Sequence, residues 1–273
     1  MAAFGNIKDE NILDLKYIKI GKGIKNALAF HGFGQDNSYF APFESIFGQE
    51  YTIYCFNLPF HGDDTTIKSG IPATKDILKD FFQNFFDKNH IAEFTNIGFS
   101  IGAKMSIALL ELFPERIEKM LLIAPDGFRT NIWYNLGTGS RATRSLFKYL
   151  VNHPDFLFKF SDSMASLRLI HPGTVRFAKT QMNSLEKREK VFYTWMFFRK
   201  LLFSKDRIIN LLIKHKIPIL IFLGKEDKII LERHFRFIED NKKIDSSITV
   251  LPAGHNDLLN KTAKHLEESW GSR

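Results

Sequence analysis

Apolar and polar positions along the chain predict strands and helices in regular succession. Residues 13–20 alternate between the two kinds of side chain, as expected of a half-buried edge strand. Short apolar runs predict buried strands, and longer segments with apolar residues at helical spacing predict helices. The buried strands are predicted at 27–30, 51–57, 94–99, 117–124, 217–223 and 247–251, and the helices at 40–47, 71–88, 103–113, 232–241 and 258–270. This succession predicts the α/β class, with a mostly parallel sheet and helices on both of its faces.

The alternation is interrupted once. Between Phe128 and Lys205 no strand pattern is present, and prolines divide the segment into several predicted helices. Strand–helix alternation resumes at residue 217. We therefore expect one α/β core made of residues 1–127 and 206–273, with an all-helical cap inserted as residues 128–205.

Length and composition are those of an ordinary globular protein. The chain has 273 residues, of which 44% are hydrophobic and 25% charged, which allows a sizeable core. Its one cysteine, Cys55, lies in an apolar run and cannot form a disulfide within the chain. The first ten residues lack a basic start followed by an apolar stretch, and no apolar run approaches the ~20 residues that cross a bilayer. These features predict a soluble, cytoplasmic protein.

The segment between the strand at 94–99 and the helix at 103–113 contains the main candidate for chemistry. It reads Gly98-Phe99-Ser100-Ile101-Gly102, so a serine is flanked by glycines at the turn from strand to helix. A turn this sharp strains its central residue and requires small neighbours, because larger side chains would collide with the adjoining strand or helix. We expect the Ser100 hydroxyl to stand clear of the sheet at a helix N-terminus, where an oxyanion is stabilised.

A serine hydroxyl is a poor nucleophile unless a base removes its proton and an acid orients that base. Asp227 and His255 follow the last two predicted strands, so both are expected at the same sheet edge as Ser100. The backbone N–H groups of Phe33 and Ile101 are the candidate donors of an oxyanion hole. Together these residues predict an activated serine.

Five segments, in this order, resemble the α/β-hydrolase superfamily. They are His31-Gly32-Phe33-Gly34, Leu58-Pro59-Phe60-His61-Gly62, the serine turn, Gly224-Lys225-Glu226-Asp227 and Gly254-His255. The chain is identified as a member of the compact bacterial serine esterase type with a helical cap. The resemblance implies Ser100 as nucleophile, Asp227 as acid and His255 as base, in the chain order usual for that superfamily. The second segment departs from the pattern, since Asn57, Phe60 and Asp64 replace Asp, Gly and Ser.

Two other carboxylates compete with Asp227. Asp126 follows the strand at 117–124, where some α/β hydrolases place the acid, and Glu226 is adjacent to Asp227. We favour Asp227. His31 and His61 are expected to be loop residues with structural hydrogen bonds. No spacing of His, Cys and carboxylate residues resembles a metal site, so we expect neither a metal nor a cofactor.

The predicted cap carries the basic excess of the chain. Residues 128–205 contain 14 Lys and Arg against 4 Asp and Glu, a net charge of +10, whereas the whole chain has +8. The same segment holds ten phenylalanines. One interpretation is an anionic or amphiphilic substrate, such as an acyl thioester of a phosphorylated carrier, or contact with a lipid surface. The other is that the phenylalanines pack on the core and the charges are solvated. No recognition motif supports nucleic-acid binding.

The sequence therefore predicts a serine hydrolase that cleaves a small-molecule carboxylic ester or thioester through an acyl-enzyme. Two alternatives stay open. One is a carbon–carbon bond hydrolase or lyase that uses the same three residues, and the other is a non-catalytic binding protein on the hydrolase scaffold. Dehalogenase chemistry is disfavoured, because it needs a carboxylate where Ser100 stands.

Overall fold

The sheet at the centre of the molecule has seven strands in the part of the chain that a computed structural model describes, namely residues 13–62, 72–128, 132–169, 175, 179 and 182–270. The strands are β1 (Tyr17–Ile20), β2 (Lys25–Phe30), β3 (Tyr51–Phe56), β4 (Phe94–Phe99), β5 (Ile117–Ile123), β6 (Ile219–Gly224) and β7 (Ser246–Leu251). Their order across the sheet is β1-β3-β2-β4-β5-β6-β7. Strand β1 pairs antiparallel with β3, and all other neighbours are parallel.

Helices connect these strands in chain order. The helices in the described residues are α1 (Pro42–Phe47), α2 (Lys75–Asn89), α3 (Ala103–Leu112), α4 (Ile132–Thr138), α5 (Arg141–Asn152), α6 (Pro154–Ser166), α7 (Leu185–Phe198), α8 (Lys205–His215), α9 (Arg236–Glu239) and α10 (Leu258–Trp270). Parallel strands need such crossovers, because the chain must return from the carboxyl end of one strand to the amino end of the next.

Alternating strand residues supply two apolar cores, one on each face of the sheet. On β2, Leu28 and Phe30 belong to the core that contains residues of α2, α3 and α8, whereas Ala27 and Ala29 belong to the core that contains residues of α1 and α10. Successive strand side chains point to opposite faces, so one apolar run serves both cores. The predicted α/β fold, with a mostly parallel sheet and helices on both faces, is confirmed.

Three elements differ most from the prediction. Strand β1 is only the second half of the strand predicted at 13–20. Helix α2 begins directly after Thr74, whose hydroxyl accepts a hydrogen bond from the backbone of α2 and so fixes its start; residue 71, the predicted start, lies outside the described residues. The helix predicted at 232–241 is instead a 3₁₀ turn and the single-turn helix α9, separated by Phe235, whose ψ of 0° is outside the α-helical range.

Helices α4 to α8 occupy the chain between β5 and β6, and the described residues of that segment contain no strand. Helices α5 and α7 share a small apolar cluster made of Phe147, Val151, Val191, Phe192 and Met196. The end of α7 continues into the larger core through Phe197 and Phe198. Helix α8, which the apolar pattern does not identify, packs there through Ile208 and Leu212. The division into core and cap at residues 128 and 205 stays a prediction.

Candidate active site

The turn between β4 and α3 places Ser100 in a strained conformation. Ser100 has a φ of 51°, in the left-handed region that L-residues other than glycine seldom adopt. The flanking glycines leave room for this turn. A Cβ atom on Gly98 would lie 2.5 Å from Ser106 Oγ, and one on Gly102 would lie 2.2 Å from the Phe30 carbonyl oxygen. No larger residue fits at either position without a shift of the backbone.

His255 lies within hydrogen-bond distance of Ser100. The loop after β7 carries His255, and its Nε2 is 2.8 Å from Ser100 Oγ. The imidazole stacks on the ring of Phe99, the last residue of β4, at 5.5 Å between centroids and 29° between planes. This stacking restricts the plane of the ring, and the contact with Ser100 holds Nε2 toward the serine.

Asp227 contacts the other nitrogen of the same imidazole. Its Oδ2 is 2.6 Å from His255 Nδ1, while its Oδ1 accepts hydrogen bonds from the N–H groups of Ile229, at 2.7 Å, and Ile230, at 3.0 Å. The carboxylate is fully buried. Burial alone would raise its pKa, but the hydrogen bonds from His255 and the two amides outweigh that effect and lower the pKa of Asp227. An ionised Asp227 accepts a hydrogen bond from the Nδ1–H group and so leaves Nε2 free to accept a proton from Ser100.

Asp126 is placed differently. Its Oδ2 lies 3.4 Å from Lys104 Nζ, and its Oδ1 accepts a hydrogen bond from the Gly127 N–H at 2.7 Å. Its own backbone N–H donates to the Ser100 carbonyl oxygen at 3.0 Å. Asp126 therefore supports the serine turn through its main chain, while its carboxylate faces a lysine. Glu226 is exposed.

The loop after β2, which carries Phe33, is held by His31. The imidazole Nδ1 donates to the Gly32 carbonyl at 2.7 Å, and Nε2 accepts from the Leu58 N–H at 3.0 Å. Burial, assisted by the nearby His61, lowers the pKa of His31 to about 3, so this histidine is neutral. It thereby joins the loop of Phe33 to the loop after β3. Ile101 follows Ser100 in a 3₁₀ turn at the start of α3.

The loop after β3 brings the α4–α8 segment close to Phe33. The His61 ring lies edge-on to Phe33 at 5.2 Å, and Phe60 stacks on Tyr193 of α7 at 5.3 Å. Phe60 has a φ of 67°, a conformation that explains why glycine is usual at this position. Burial and the charge of Lys190 lower the pKa of His61 to about 4.

Lys104 is a residue of this region that the sequence analysis missed. Its side chain is only 7% exposed, and its ammonium lies 4.3 Å from the ring centroid of Tyr134 in α4 as well as beside Asp126. The hydroxyl of Tyr134 donates to the carbonyl of Trp195 in α7 at 3.3 Å. The signal in the sequence was Lys104 as the single charged residue in the first half of a buried helix. Such a charge needs a partner, and here it links the serine turn to α4.

Two negative findings concern the described residues. They contain no group of three or more His, Cys, Asp or Glu side chains that could hold a metal ion. Within the same residues, no helix has the length and apolar character to cross a membrane. The expectation that the reaction needs no metal or cofactor stays a prediction.

The sequence matches a family of known proteins over most of its length. Residues 28–262 match the family described as alpha/beta hydrolase fold. The chain belongs to this family, as its resemblance in five segments predicted.

The individual proteins that resemble this chain have low sequence identity to it. The chain is 26% identical over 152 residues to a dihydrolipoyllysine-residue acetyltransferase component of an acetoin cleaving system from Cupriavidus necator, a match that covers 55% of this chain and 40% of that protein. Among solved structures, it is similar to a thermophilic esterase from Thermogutta terrifontis, with a TM-score of 0.65, 18% identity and coverage of 94% and 93%. An enol-lactonase from Burkholderia xenovorans LB400 has a TM-score of 0.60, 16% identity and coverage of 94% and 95%. These two structures share the fold of this chain.

Proposed function

We propose that this protein is a serine hydrolase that cleaves a carboxylic ester or thioester of a small molecule, with Ser100 as nucleophile, His255 as base and Asp227 as acid. One observation supports this assignment above others. A hydroxyl, an imidazole and a buried carboxylate form a continuous chain of short contacts, 2.8 Å from Ser100 to His255 and 2.6 Å from His255 to Asp227. This arrangement makes serine nucleophilic at neutral pH.

The proposed reaction has two halves. In the first, His255 Nε2 takes the Ser100 proton as Oγ bonds to the substrate carbonyl carbon, and the backbone N–H groups of Phe33 and Ile101 donate to the oxyanion. The protonated His255 then gives its proton to the leaving alcohol or thiol as the tetrahedral intermediate collapses to an acyl-enzyme. In the second half, water gives a proton to His255 as its oxygen bonds to the acyl carbon. The bond from that carbon to Ser100 Oγ then breaks, the acid leaves, and His255 returns the proton to Oγ.

The surroundings of Phe33 favour an apolar acyl group. Phe33 packs against both the large core and the cluster of α5 and α7, so the loop of the proposed oxyanion hole adjoins aromatic and aliphatic side chains of both. An acyl chain at that point would be removed from water at a gain of roughly 25 cal/mol per Å² of apolar area.

The basic residues of the α4–α8 segment favour a substrate that also carries negative charge. Burial and repulsion from the charge of Arg144 lower the pKa of Arg199. A carboxylate or phosphate on the substrate would relieve this repulsion. We therefore expect Arg199→Gln to raise KM for an anionic ester but not for a neutral one, and Lys187→Gln on the exposed start of α7 to change neither.

The assignment to a hydrolase is tested by intact-mass analysis after treatment with a fluorophosphonate. We expect one phosphonyl adduct on the wild type and on Ser106→Ala, a buried serine of α3, and none on Ser100→Ala. Hydrolysis assays with esters, thioesters and diketone-like acids then distinguish ester cleavage from carbon–carbon bond cleavage by the same residues. A folded wild type that forms no adduct would exclude the proposed chemistry and favour the non-catalytic binding protein.

A further inference from the structure

Tyr39 lies in a short turn between the loop after β2 and helix α1. The turn is the 3₁₀ helix Asn37–Phe40, and the carboxylate of Asp36 caps its start by accepting a hydrogen bond from the Ser38 N–H at 2.9 Å. The residue after Tyr39, Phe40, is fully buried in the core on the face of the sheet that α1 and α10 cover. The backbone on both sides of Tyr39 is therefore fixed, so its side chain projects from a rigid base.

The hydroxyl of Tyr39 contacts the loop after β7, which carries His255. It donates to the carbonyl oxygen of Asn256, the residue after His255, at 2.6 Å. Burial and the charge of Asp257 raise the pKa of Tyr39, so the hydroxyl keeps its proton and is a donor at neutral pH. This hydrogen bond joins the turn after β2 to a residue 217 positions further along the chain.

The ring of Tyr39 acts on the same histidine through Phe99. It stacks on the Phe99 ring with 6.1 Å between centroids and 15° between planes. Phe99 is the residue on which the imidazole of His255 stacks, and it is almost completely buried. A buried ring in close packing cannot shift unless its neighbours shift as well. Tyr39 therefore supports both the backbone beside His255 and the ring that restricts its imidazole plane.

Main-chain hydrogen bonds hold the loop of His255 at its two ends. Before the histidine, the Glu226 N–H donates to the carbonyl of Ala253 at 3.1 Å. After it, the Lys261 N–H donates to the carbonyl of Asp257 at 3.0 Å. The hydrogen bond from the tyrosine falls between these two points, next to the base itself. It is therefore placed to limit how far the imidazole moves from the serine.

We propose that Tyr39 is a positioning residue that holds the imidazole of His255 at hydrogen-bond distance from Ser100. This inference rests on the proposed function of Ser100 and His255, and Tyr39 acts only through the loop of the base and through Phe99. Proton transfer needs the two heavy atoms within about 3 Å of each other, and a displacement of about 1 Å can lower a rate by on the order of 10²-fold. Loss of Tyr39 should therefore lower kcat more than it changes KM.

The test compares Tyr39→Phe, which removes the hydrogen bond and keeps the stacked ring, with Tyr39→Leu, which removes both. Complete reaction with a fluorophosphonate gives the concentration of active serine in each preparation. For a 4-nitrophenyl ester we expect kcat per active serine to fall about fivefold in Tyr39→Phe and on the order of 10²-fold in Tyr39→Leu, with KM changed less than about twofold. Ser38→Ala removes a hydrogen bond to Asp36 within the same turn and should leave kcat within about twofold.

A second measurement does not depend on catalysis. The Nδ1–H proton of His255 lies in the 2.6 Å contact with Asp227, so we expect a low-field NMR signal that exchanges slowly with water. Exchange of this proton should accelerate at least about tenfold in Tyr39→Leu and stay within about twofold of the wild type in Ser38→Ala.

The two measurements separate the role of Tyr39 from the assignment to a hydrolase. A wild type that forms no phosphonyl adduct would overturn the hydrolase, and the NMR signal would then decide the role of Tyr39. If kcat per active serine and proton exchange are the same in the wild type and a folded Tyr39→Leu, the positioning role is overturned. If the leucine variant does not fold, an unchanged kcat in Tyr39→Phe overturns it.

Discussion

Asp227 and His255 form the shortest contact of the candidate site, 2.6 Å between Oδ2 and Nδ1, and two backbone amides hold the other carboxylate oxygen in place. The buried carboxylate therefore cannot rotate away without losing three hydrogen bonds. This rigidity keeps the Nε2 atom of His255 in the state that accepts a proton from Ser100.

Asparagine at position 227 should disrupt this arrangement while preserving its volume. Its amide can donate to Nδ1 and so favour the wrong tautomer, and we expect kcat/KM for a 4-nitrophenyl ester to fall by roughly 10³ to 10⁴. Asp126→Asn is the matched control, since its carboxylate faces Lys104. Asp126→Asn should lower kcat/KM by less than about tenfold. A larger loss at Asp126 than at Asp227 would move the acid to the position that the sequence left as the alternative.

The two glycines Gly102 and Gly137 should respond in opposite directions to alanine. At Gly102 the new Cβ would meet two backbone carbonyls, 2.2 and 2.4 Å away, and neither can move without shifting β2. We expect the free energy of unfolding to fall by about 2–3 kcal/mol. At Gly137, inside α4, the nearest atoms are side-chain carbons at 3.4 Å or more. There alanine should stabilise by about 0.5–1 kcal/mol. Urea titration measures both, and a stabilising Gly102→Ala would contradict the packing of the serine turn.

Stability should decrease as pH falls below about 6.5, because His31 and His61 are buried in their neutral forms. Their pKa values are lowered to about 3 and about 4, respectively. A histidine whose pKa is lower in the folded than in the unfolded protein contributes its full stabilisation above the unfolded pKa. That contribution is lost as the pH falls toward the folded pKa. Between pH 6.5 and pH 4, each histidine lowers the free energy of unfolding by about 1.4 kcal/mol for every unit by which the pH falls.

Urea unfolding at pH 7.5 and 5.5 checks this expectation. We expect the wild type to lose roughly 3 kcal/mol from these two groups together. His61→Gln should lose about half as much, and His90→Asn, at an exposed helix end, should behave as the wild type. An equal pH dependence in the wild type and His61→Gln would show that His61 is not the source.

The sequence was sufficient for the fold because its signals were local. Each buried strand is a continuous apolar run, and the glycines around Ser100 mark a turn that only small residues permit. The same reasoning placed Asp227 and His255 at one edge of the sheet, since both follow parallel strands.

The sequence pattern does not predict side-chain contacts between segments that are far apart in the chain. The partner of Lys104 depends on how α4 packs over α3, and the pairing of Phe60 with Tyr193 joins residues far apart in sequence. The start of α2 at Thr74 and the break at Phe235 depend on single hydrogen bonds and dihedral angles that no periodicity reveals.

The stacking of Phe60 on Tyr193 should offset part of the free energy that the strained φ angle of Phe60 costs. A non-glycine residue at a φ of 67° costs on the order of 1–2 kcal/mol, and an aromatic pair contributes about 0.5–1.5 kcal/mol. Phe60→Gly removes both the strain and the stacking, and Tyr193→Ala removes the stacking alone. We expect a coupling energy of about 1 kcal/mol between the two substitutions in a double-mutant cycle measured by urea unfolding.

Tyr193→Phe keeps the ring and should change stability by less than about 0.5 kcal/mol, which separates the ring contact from the hydroxyl. Because this contact joins the loop after β3 to α7, its loss should also loosen α7 beside Phe33. We therefore expect KM for an apolar ester to rise several-fold in Tyr193→Ala, with kcat changed less. If the two substitutions are additive in stability, the rings do not support each other, and the strain at Phe60 must be offset by its other contacts with the core.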